Sequence, residues 1–348
     1  MPLLSDPAAD AAVSLDGVTK TYGEHTAVRD LSLVVPKGSC YGFIGPNGSG
    51  KTTTLRMIMR IHEQNQGDVT VLGRTNSDRP DDRVAYLPEE RGLYKQMKVR
   101  EVLRFYAQIK GADASKAAIQ EWLDKLDLSD WGDKKVDQLS KGMSQKVQFI
   151  ATVISNPELV LLEEVFSGLD PVNRETMTEQ INQLRRDGKT VIFSTHDMAT
   201  AEQMCDRIFM IYKGDKVLDG SLAEIQQNYG SDTIRVQVDG ADGHQMEHLP
   251  GVTRVRDLGQ TQELTLEKDT DEQSILSTLI SMGSVKRFEV TSPSLQDIFV
   301  RIARPDAAAL ADLGAEIDGE SVEDPDFQEP TEAEIEAEIA LADAQEKA

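Results

Sequence analysis

The feature of the sequence that most constrains its fold is a glycine-rich stretch, GPNGSGKT at residues 45–52, which fits the pattern G-x-x-x-x-G-K-[ST]. Residues 39–44 before it are apolar enough for a short strand, and residues 52–60 after it have helical periodicity. This order predicts a loop whose backbone N–H groups, together with a helix N-terminus, bind phosphate oxygens. A plain glycine-rich turn before a helix is the alternative that the stretch alone leaves open.

We expect the end of this stretch to carry most of its chemistry. Lys51 can reach the β and γ phosphates of a nucleoside triphosphate, and the hydroxyl of Thr52 can ligate Mg²⁺. The glycines let the backbone turn inward without clashes from a Cβ atom. The predicted nucleotide contacts in this part of the chain are Gly45, Pro46, Asn47, Gly48, Ser49, Gly50, Lys51, Thr52 and Thr53.

Charge and cysteine content argue against several classes of protein. The 348 residues carry a formal net charge of −23, of which the segment after residue 304 alone contributes −14. The rest of the chain is still acidic, which argues against broad nucleic-acid binding because that requires a basic surface. Cys40 and Cys205 form no C-x-x-C pair and suit a reducing cytosol. No run approaches the ~20 apolar residues of a membrane span and no signal peptide is recognisable, so we expect a soluble protein that works at a membrane only through a partner.

Apolar strand runs alternate with helical stretches through the first two thirds of the chain. Runs at residues 39–44, 84–87, 159–162 and 191–195 are each followed by a turn and a helical pattern. This alternation predicts an α/β fold with a mostly parallel sheet. Further β-type runs, at residues 12–35 and 67–73, predict a β subdomain that we expect to be antiparallel, and residues 99–128 have the periodicity of a mainly helical insert.

Polar and aromatic residues follow these strand runs. Glu163 and Glu164 end one run, and His196 ends the next. Glu89 follows an earlier run, and Tyr22 follows the first, where its ring could stack on a purine base. Taken singly, His196 is better explained as a histidine in a polar turn and Tyr22 as an ordinary strand-end tyrosine. Only their order along the chain indicates a nucleotide site.

In that order, these elements resemble the nucleotide-binding subunit of an ABC transporter over about residues 13–230. Tyr22 is similar to the family's adenine-stacking aromatic, residues 45–52 to Walker A, and Glu89 to the Q-loop glutamine. Residues 139–143, LSKGM, resemble the signature that is usually LSGGQ. Residues 159–164 resemble Walker B followed by the catalytic glutamate, residues 167–171 the D-loop, and His196 the switch histidine. The run at residues 86–94 looks like the branch of exporters that includes sodium-extruding systems.

The resemblance implies an ATPase that uses ATP and Mg²⁺. It makes Lys51, Glu164 and His196 the catalytic candidates, and Thr52, Glu89 and Glu163 the candidates for holding Mg²⁺. It implies a head-to-tail dimer, of identical or different subunits, in which Ser140, Gly142 and Asp170 take part in enclosing the nucleotides. It also implies an integral membrane permease on separate chains, and hence a place at the cytoplasmic face of the membrane.

Three departures from the family pattern affect this interpretation. Walker B normally ends Asp-Glu-Pro, whereas this chain reads Glu163-Glu164-Val165. Because Mg²⁺ demands near-ideal octahedral geometry, the longer carboxylate predicts slow hydrolysis. Val165 lacks the restriction that proline imposes, and Glu89 in place of glutamine adds negative charge near the phosphates. A weakly hydrolysing regulatory module is therefore one alternative function. A non-transport ABC ATPase is another, although such proteins need two cassettes or a long coiled-coil insertion.

The last third of the chain predicts a separate small α+β domain, similar to the C-terminal domain of some exporter-type ATPases. Strand runs lie at residues 234–238, 263–267 and 285–290, with a helical stretch at 272–282 and a last helix at 292–299. Residues 244–248, HQMEH, fit the zinc-protease pattern H-x-x-E-H. The glycine before them and the Pro-Gly pair after them leave little room for a helix, so a polar loop is favoured over a metal site.

These patterns divide the chain into four predicted segments. They are a flexible N-terminus at residues 1–11, an ATP-binding cassette at 12–230, an accessory domain at 231–304 and an acidic disordered tail at 305–348.

Overall fold

The structure is a computed structural model that describes residues 11–77, 79–90, 92–229, 233–240, 243–267 and 270–303. Residues 1–10 of the predicted flexible N-terminus and the whole predicted tail lie outside this range, while residue 11 already begins a strand.

The strands are β1 Ala11–Tyr22, β2 His25–Pro36, β3 Cys40–Ile44, β4 Gln66–Val71, β5 Arg74–Thr75, β6 Val84–Leu87, β7 Leu159–Glu163, β8 Thr190–Thr195, β9 Arg207–Tyr212, β10 Asp215–Gly220, β11 Thr233–Asp239, β12 Val252–Asp257, β13 Gln262–Leu266 and β14 Ser284–Thr291. The helices are α1 Lys51–Ile58, α2 Val99–Ile109, α3 Lys116–Lys125, α4 Lys141–Val153, α5 Pro171–Arg186, α6 Met198–Met204, α7 Leu222–Asn228, α8 Gly243–Met246, α9 Glu272–Met282 and α10 Leu295–Ala303.

The central sheet has the strand order β10–β9–β3–β8–β7–β6. Strands β9, β3, β8, β7 and β6 run parallel, and β10 pairs antiparallel with β9 at one edge. Every residue of β3, β7 and β8 is buried, as expected for parallel strands that are covered on both faces. The predicted α/β fold with a mostly parallel sheet is therefore confirmed.

Side-chain alternation along the central strands separates two hydrophobic layers. Leu161 and Ile192 face a layer that contains α1 and the antiparallel sheet, which has the order β2–β1–β4–β5. Their neighbours Leu162 and Phe193 face the opposite layer, which is built from α2, α3, α4 and α5. Since successive side chains in a strand point to opposite faces, a short apolar strand supplies both layers at once. The predicted antiparallel β subdomain and helical insert are both present.

The C-terminal elements form a second sheet with the order β12–β13–β11–β14, in which all pairings are antiparallel. Helices α8 and α9 pack on one face of this sheet through Met246, Ile275 and Leu279, together with Leu249 from the segment after α8. The connectivity β11–α8–β12–β13–α9–β14 is that of a split β-α-β unit. Strand β12 was not predicted from the sequence, because it alternates only weakly and four of its six residues are exposed.

The last helix, α10, packs against the cassette. Leu295 and Ile298 are fully buried in a cluster with Ile44, Ala201 and Ile208. The backbone N–H of Leu295 donates to the Glu202 carboxylate of α6 at 2.5 Å. Helix α10 therefore lies close to the residue that precedes the glycine-rich loop.

Candidate nucleotide-binding site

Parallel pairing brings the predicted site residues to one edge of the central sheet. Ile44 at the end of β3 pairs with Thr195 at the end of β8, and Glu163 of β7 pairs with Ser194. Leu87 at the end of β6 pairs with Leu162 of β7. Since the carboxyl ends of parallel strands lie together, the segments that follow these four strands meet at one crevice, the usual ligand position in open α/β sheets. These segments carry the glycine-rich loop, Glu89, Glu164 and His196.

The backbone of the glycine-rich loop cannot accommodate side chains at two of its glycines. Gly45 has a φ of 152°, and a Cβ there would lie 2.3 Å from the carbonyl oxygen of Ile211. Gly50 has a φ of 109°, and a Cβ there would lie 2.5 Å from the carbonyl oxygen of Ala27. The turn between β9 and β10 also contacts the loop, where the N–H of Gly214 donates to the carbonyl of Ser49 at 3.0 Å. The loop conformation is thus fixed by its neighbours.

Lys51 is the first residue of α1 and only 8% exposed. Its ammonium group donates to the carbonyl oxygens of Gly45 and Pro46, at 2.8 Å each. Burial lowers the pKa of Lys51, while the carboxylates of Glu164, Glu163 and Glu89 act in the opposite direction. The cation therefore lies in the field of all three predicted acidic site residues, although Glu89 itself is exposed.

Glu163 joins the glycine-rich loop to β6. It is 4% exposed, and its Oε1 accepts a hydrogen bond of 2.7 Å from the hydroxyl of Thr52. Its Oε2 accepts a short hydrogen bond from the hydroxyl of Tyr86. Thr52 and Glu163, two of the three predicted Mg²⁺ ligands, are thus in direct contact.

Glu164 is the first residue after β7 and is held in an unusual conformation. Its φ of 42° lies in the left-handed region, which costs a non-glycine residue about 1–3 kcal/mol. Its Oε1 accepts a hydrogen bond of 2.9 Å from the backbone N–H of His196 and lies 2.7 Å from Nδ1 of the same residue. Its Oε2 accepts a hydrogen bond of 3.2 Å from the Thr195 hydroxyl. The ends of β7 and β8 are therefore tied together through this one carboxylate.

The predicted signature residues form a second group, at the start of α4 and next to the predicted D-loop. Ser140 caps the N-terminus of α4 and accepts a hydrogen bond from the N–H of Met143. Gly142 is buried, and a Cβ there would lie 3.2 Å from the Leu169 side chain in the predicted D-loop. Within the described part of the chain, no hydrogen bond or ion pair joins Ser140 or Gly142 to residues 45–52. The structure therefore does not bring the signature to the glycine-rich loop of the same chain.

Asp170 belongs to this second group. It caps α5, where its carboxylate accepts a hydrogen bond of 3.0 Å from the backbone N–H of Asn173. That bond lowers the pKa of Asp170 below its usual range. In the single chain, Asp170 thus has a structural partner in its own helix.

Tyr22, at the end of β1, lies near the segment that follows α1. Its ring makes an edge contact with His62 at 5.9 Å between centroids, and the Lys20 ammonium lies 4.9 Å from its centroid. The ring is half-buried, so part of it remains accessible for stacking. The stacking role of Tyr22 stays a prediction.

A cavity of about 550 Å³ adjoins the loop on the side of His196. Pro46 and Asn47 of the loop and His196 line one part of it, and Gln296 and Phe299 of α10 line another. Its volume falls within the range of ligand sites. The C-terminal helix therefore forms a wall next to the phosphate-binding loop.

The donor set of the loop fits a triphosphate and Mg²⁺. The hydroxyl oxygen of Ser49 is buried and, among the described residues, has no hydrogen-bond partner. Helix α1 starts after Gly50 without a side-chain cap, so its first N–H groups face the loop without a side-chain acceptor. Thr52 and Glu163 present hydroxyl and carboxylate oxygens, which are the ligand types that Mg²⁺ prefers.

Sequence reasoning missed three residues of this region. Tyr86 contacts Glu163, and Thr195 contacts Glu164. Gln148 of α4 donates to the carbonyl oxygen of Glu90 at 3.0 Å and so connects the signature helix to the segment around Glu89. For Tyr86 and Thr195, the sequence offered one indication of a site role, a hydroxyl side chain within two residues of a strand end. For Gln148, inside a helix, the sequence offered no such indication.

Comparison with known proteins gives the family. A family model described as ABC transporter matches residues 28–167, and one described as the C-terminal domain of DrrA1-3-like ATP-binding proteins matches residues 220–303. The chain is 37% identical over 290 residues to the uncharacterized ABC transporter ATP-binding protein YhaQ of Bacillus subtilis, an alignment that covers 83% of this chain and 97% of the relative. The chain belongs to the ABC transporter ATP-binding proteins.

Other relatives of this ABC subunit carry more specific names. The Nod factor export ATP-binding protein I of Sinorhizobium fredii is 31% identical over 307 residues, which cover 86% of this chain and 88% of the relative. A solved ATP-binding subunit of an ABC transporter superposes with a TM-score of 0.59 at 29% identity, over 63% of this chain and 93% of that one. A dimeric cassette in a post-hydrolysis state, bound to ADP and Pi, superposes with a TM-score of 0.56 at 27% identity, over 60% of this chain and 98% of that one.

No helix of the described segments combines the length and the apolar character that crossing a membrane demands. ABC ATP-binding subunits dimerise and work with membrane permeases, and members of the family bind and hydrolyse ATP.

Proposed function

We propose that this ABC subunit binds Mg-ATP, dimerises around it and uses its hydrolysis to power a permease on separate chains, in the direction of export. The observation that supports this most strongly is the convergence of Lys51, Glu163 and Glu164 with His196 at one sheet edge. The carboxylates and the imidazole come from the ends of two different strands, β7 and β8, and the cation comes from the N-terminus of α1. This arrangement is suited to phosphoryl transfer to water.

The loop supplies the binding part of this mechanism. Backbone N–H groups of Gly45 and of residues 47–53, the last of them at the N-terminus of α1, offer donors to the phosphate oxygens. Lys51, which now donates to two backbone carbonyls, would exchange them for phosphate oxygens of higher charge. Tyr22 stacks on the adenine in this proposal. Mg²⁺, held by Thr52 and Glu163 with Glu89 nearby, would neutralise phosphate charge when bound.

Glu164 and His196 supply the hydrolytic part. The Glu164 carboxylate accepts a proton from the attacking water, which then forms its bond to the γ-phosphorus while the bond to the leaving ADP oxygen breaks. To reach that water, Glu164 must exchange its contact with His196 for one with the water. His196 is then free to contact the γ-phosphate.

The proposed dimer explains why the signature lies apart from the loop. Ser140 is exposed at the N-terminus of α4, where open backbone donors suit an anion. Since no described contact brings it to its own chain's loop, a nucleotide bound there would meet Ser140, Gly142 and Asp170 of a second protomer. The dimeric relative with bound ADP and Pi supports this arrangement.

An exposed apolar surface, formed by α2 and by Tyr94 before it, supports docking to a permease. Tyr94, Phe105 and Ile109 are 52%, 36% and 65% exposed, and the rings of Tyr94 and Phe105 are in edge contact at 5.6 Å. Large apolar side chains clustered on a surface are typical of protein contacts. Docking there places the subunit at the cytoplasmic face of the membrane, and the Nod factor export relative supports the direction of export.

Nucleotide binding tests the core of the proposal. We expect wild-type protein to bind ATP in the presence of Mg²⁺, and Lys51→Ala to lose most of this affinity, as measured by calorimetry or a fluorescent analogue. Lys37→Ala, an exposed lysine just before β3, is the matched control and should bind as wild type does. Wild-type protein without affinity for Mg-ATP would overturn the proposal.

Co-purification from detergent-solubilised membranes tests the partner. Recovery of a polytopic membrane protein supports transport, whereas recovery of ribosomes or DNA would favour a non-transport ABC ATPase.

A weakly hydrolysing regulatory module is the second candidate, because Glu163 stands where the family has aspartate. Hydrolysis that stays slow even with the permease present would favour it.

A further inference from the structure

The geometry points to Tyr86 as a positioning residue for Mg²⁺, one that holds the Glu163 carboxylate in the orientation that faces Thr52. The inference rests on the function proposed above. Tyr86 lies on β6, which pairs with β7, and its hydroxyl donates to Oε2 of Glu163. The other oxygen, Oε1, accepts from Thr52 at 2.7 Å. One carboxylate is thus fixed from two sides by residues 34 positions apart in sequence.

A glutamate needs such an anchor more than an aspartate does. Its side chain has one more rotatable bond, so a glutamate that is free to turn loses more conformational freedom when it binds a metal. A hydrogen bond to the oxygen that does not face Thr52 selects one rotamer before the metal arrives. Partners of metal-ligating carboxylates orient them in this way and tune their affinity.

Tyr86 is suited to the role because it remains a donor. A tyrosine hydroxyl is protonated at neutral pH, and in the structure that of Tyr86 donates to Oε2 of Glu163. The ring is half-buried and adds to the hydrophobic layer that contains α1, so removal of the hydroxyl alone leaves this packing in place.

The experiment compares binding of a non-hydrolysable ATP analogue in Mg²⁺ with its binding in EDTA. The ratio of the two dissociation constants isolates the metal's contribution. We expect Tyr86→Phe to reduce this ratio by about 10–100-fold while leaving the affinity in EDTA unchanged. In a Glu163→Asp background, the shorter side chain no longer reaches Tyr86, so Tyr86→Phe should change the ratio by no more than about twofold.

Tyr41→Phe is the matched control. Tyr41 is a buried strand tyrosine on β3 whose hydroxyl also donates to a carboxylate, that of Asp219. The Tyr41→Phe change should lower thermal stability without altering the magnesium ratio. Should Tyr86→Phe not fold, Tyr86→Leu, a smaller apolar residue for this half-buried position, is measured in its place.

Two results would overturn the inference. A folded Tyr86 variant with an unchanged ratio excludes a role in metal positioning while leaving the proposed function intact. Equal losses in the wild-type and Glu163→Asp backgrounds would show that Tyr86 acts by another route. Absence of analogue binding by wild-type protein in both conditions would instead refute the proposed function.

Discussion

Nδ1 of His196 lies 2.7 Å from Oε1 of Glu164, and the backbone N–H of His196 donates to the same oxygen. The side chain of Glu164 is 14% exposed, whereas that of His196 is 64% exposed. Glu164, the proposed base, is thus held by His196, whose own side chain is mostly exposed at the sheet edge where we propose that the nucleotide binds. This pairing gives the catalytic proposal a specific test.

Removal of the Glu164 charge should stop turnover without preventing binding. We expect Glu164→Gln to lower the rate of ATP hydrolysis by about 10²–10⁴-fold, because the water loses its proton acceptor. Affinity for the nucleotide should remain near that of wild type, and the ATP-bound dimer should persist in size-exclusion chromatography. Glu158→Gln, an exposed carboxylate just before β7, serves as control. A Glu164→Gln variant that keeps the wild-type rate would refute the assignment of the base.

His196 and Glu164 should act as one unit. We expect His196→Ala to slow hydrolysis, because it removes the contact that orients Glu164 before the water binds and the group that then faces the γ-phosphate. Since the two side chains share one network, the double variant should be no slower than the slower single variant. Steady-state phosphate release measures all three. Fully multiplicative losses would show that the two residues act independently.

Shortening Glu163 tests the sequence-based prediction of slow hydrolysis. If the extra methylene misplaces the carboxylate, Glu163→Asp should hydrolyse ATP faster than wild type, by up to about 10²-fold. The wild-type rate is measured beside it under the same Mg²⁺ concentration, with Glu158→Asp as the control for the chemical change. A Glu163→Asp variant no faster than wild type would show that Glu163 is no handicap.

The link between the signature helix and the segment around Glu89 depends on Gln148. Its amide donates to the carbonyl of Glu90 at 3.0 Å and lies 3.4 Å from that of Pro88. We expect Gln148→Leu to cost about 1 kcal/mol of unfolding free energy and to speed amide hydrogen exchange at residues 89 and 90. Gln183→Leu, on the exposed face of α5, should change neither. Unchanged exchange in Gln148→Leu would show that the bond does not hold this segment.

Cys205 should be slow to react in the folded protein. Cys205 contacts Cys40 at 4.0 Å between sulfurs; this contact and burial raise the pKa of Cys205. Its reactive thiolate should therefore be scarce at neutral pH and form only well above the usual thiol pKa. Iodoacetamide labelling followed by mass spectrometry should show far slower reaction of Cys205 in native than in denatured protein, at pH 7 and 8 alike. Equal native and denatured rates would contradict this.

The sequence correctly predicted the features that depend on the order of strand, loop and helix patterns along the chain. Strand, glycine loop and helix at residues 39–60 follow from apolar runs and from glycines that a phosphate loop requires. The parallel sheet followed from alternating strand and helix patterns. Placement of Glu163, Glu164 and His196 at one edge then follows, because parallel strands present their carboxyl ends together. The roles of these residues stay predictions that the experiments above test.

Only the tertiary structure decided which side chains meet across these elements. Hydrophobic periodicity tells which face of a strand is buried, and it carries no information about the partner that lies on the neighbouring strand. Tyr86 and Glu163 come together because β6 pairs with β7, and α10 lies beside Ile44 because its apolar face is buried there. The separation of Ser140 from the loop of its own chain is likewise a property of the folded chain.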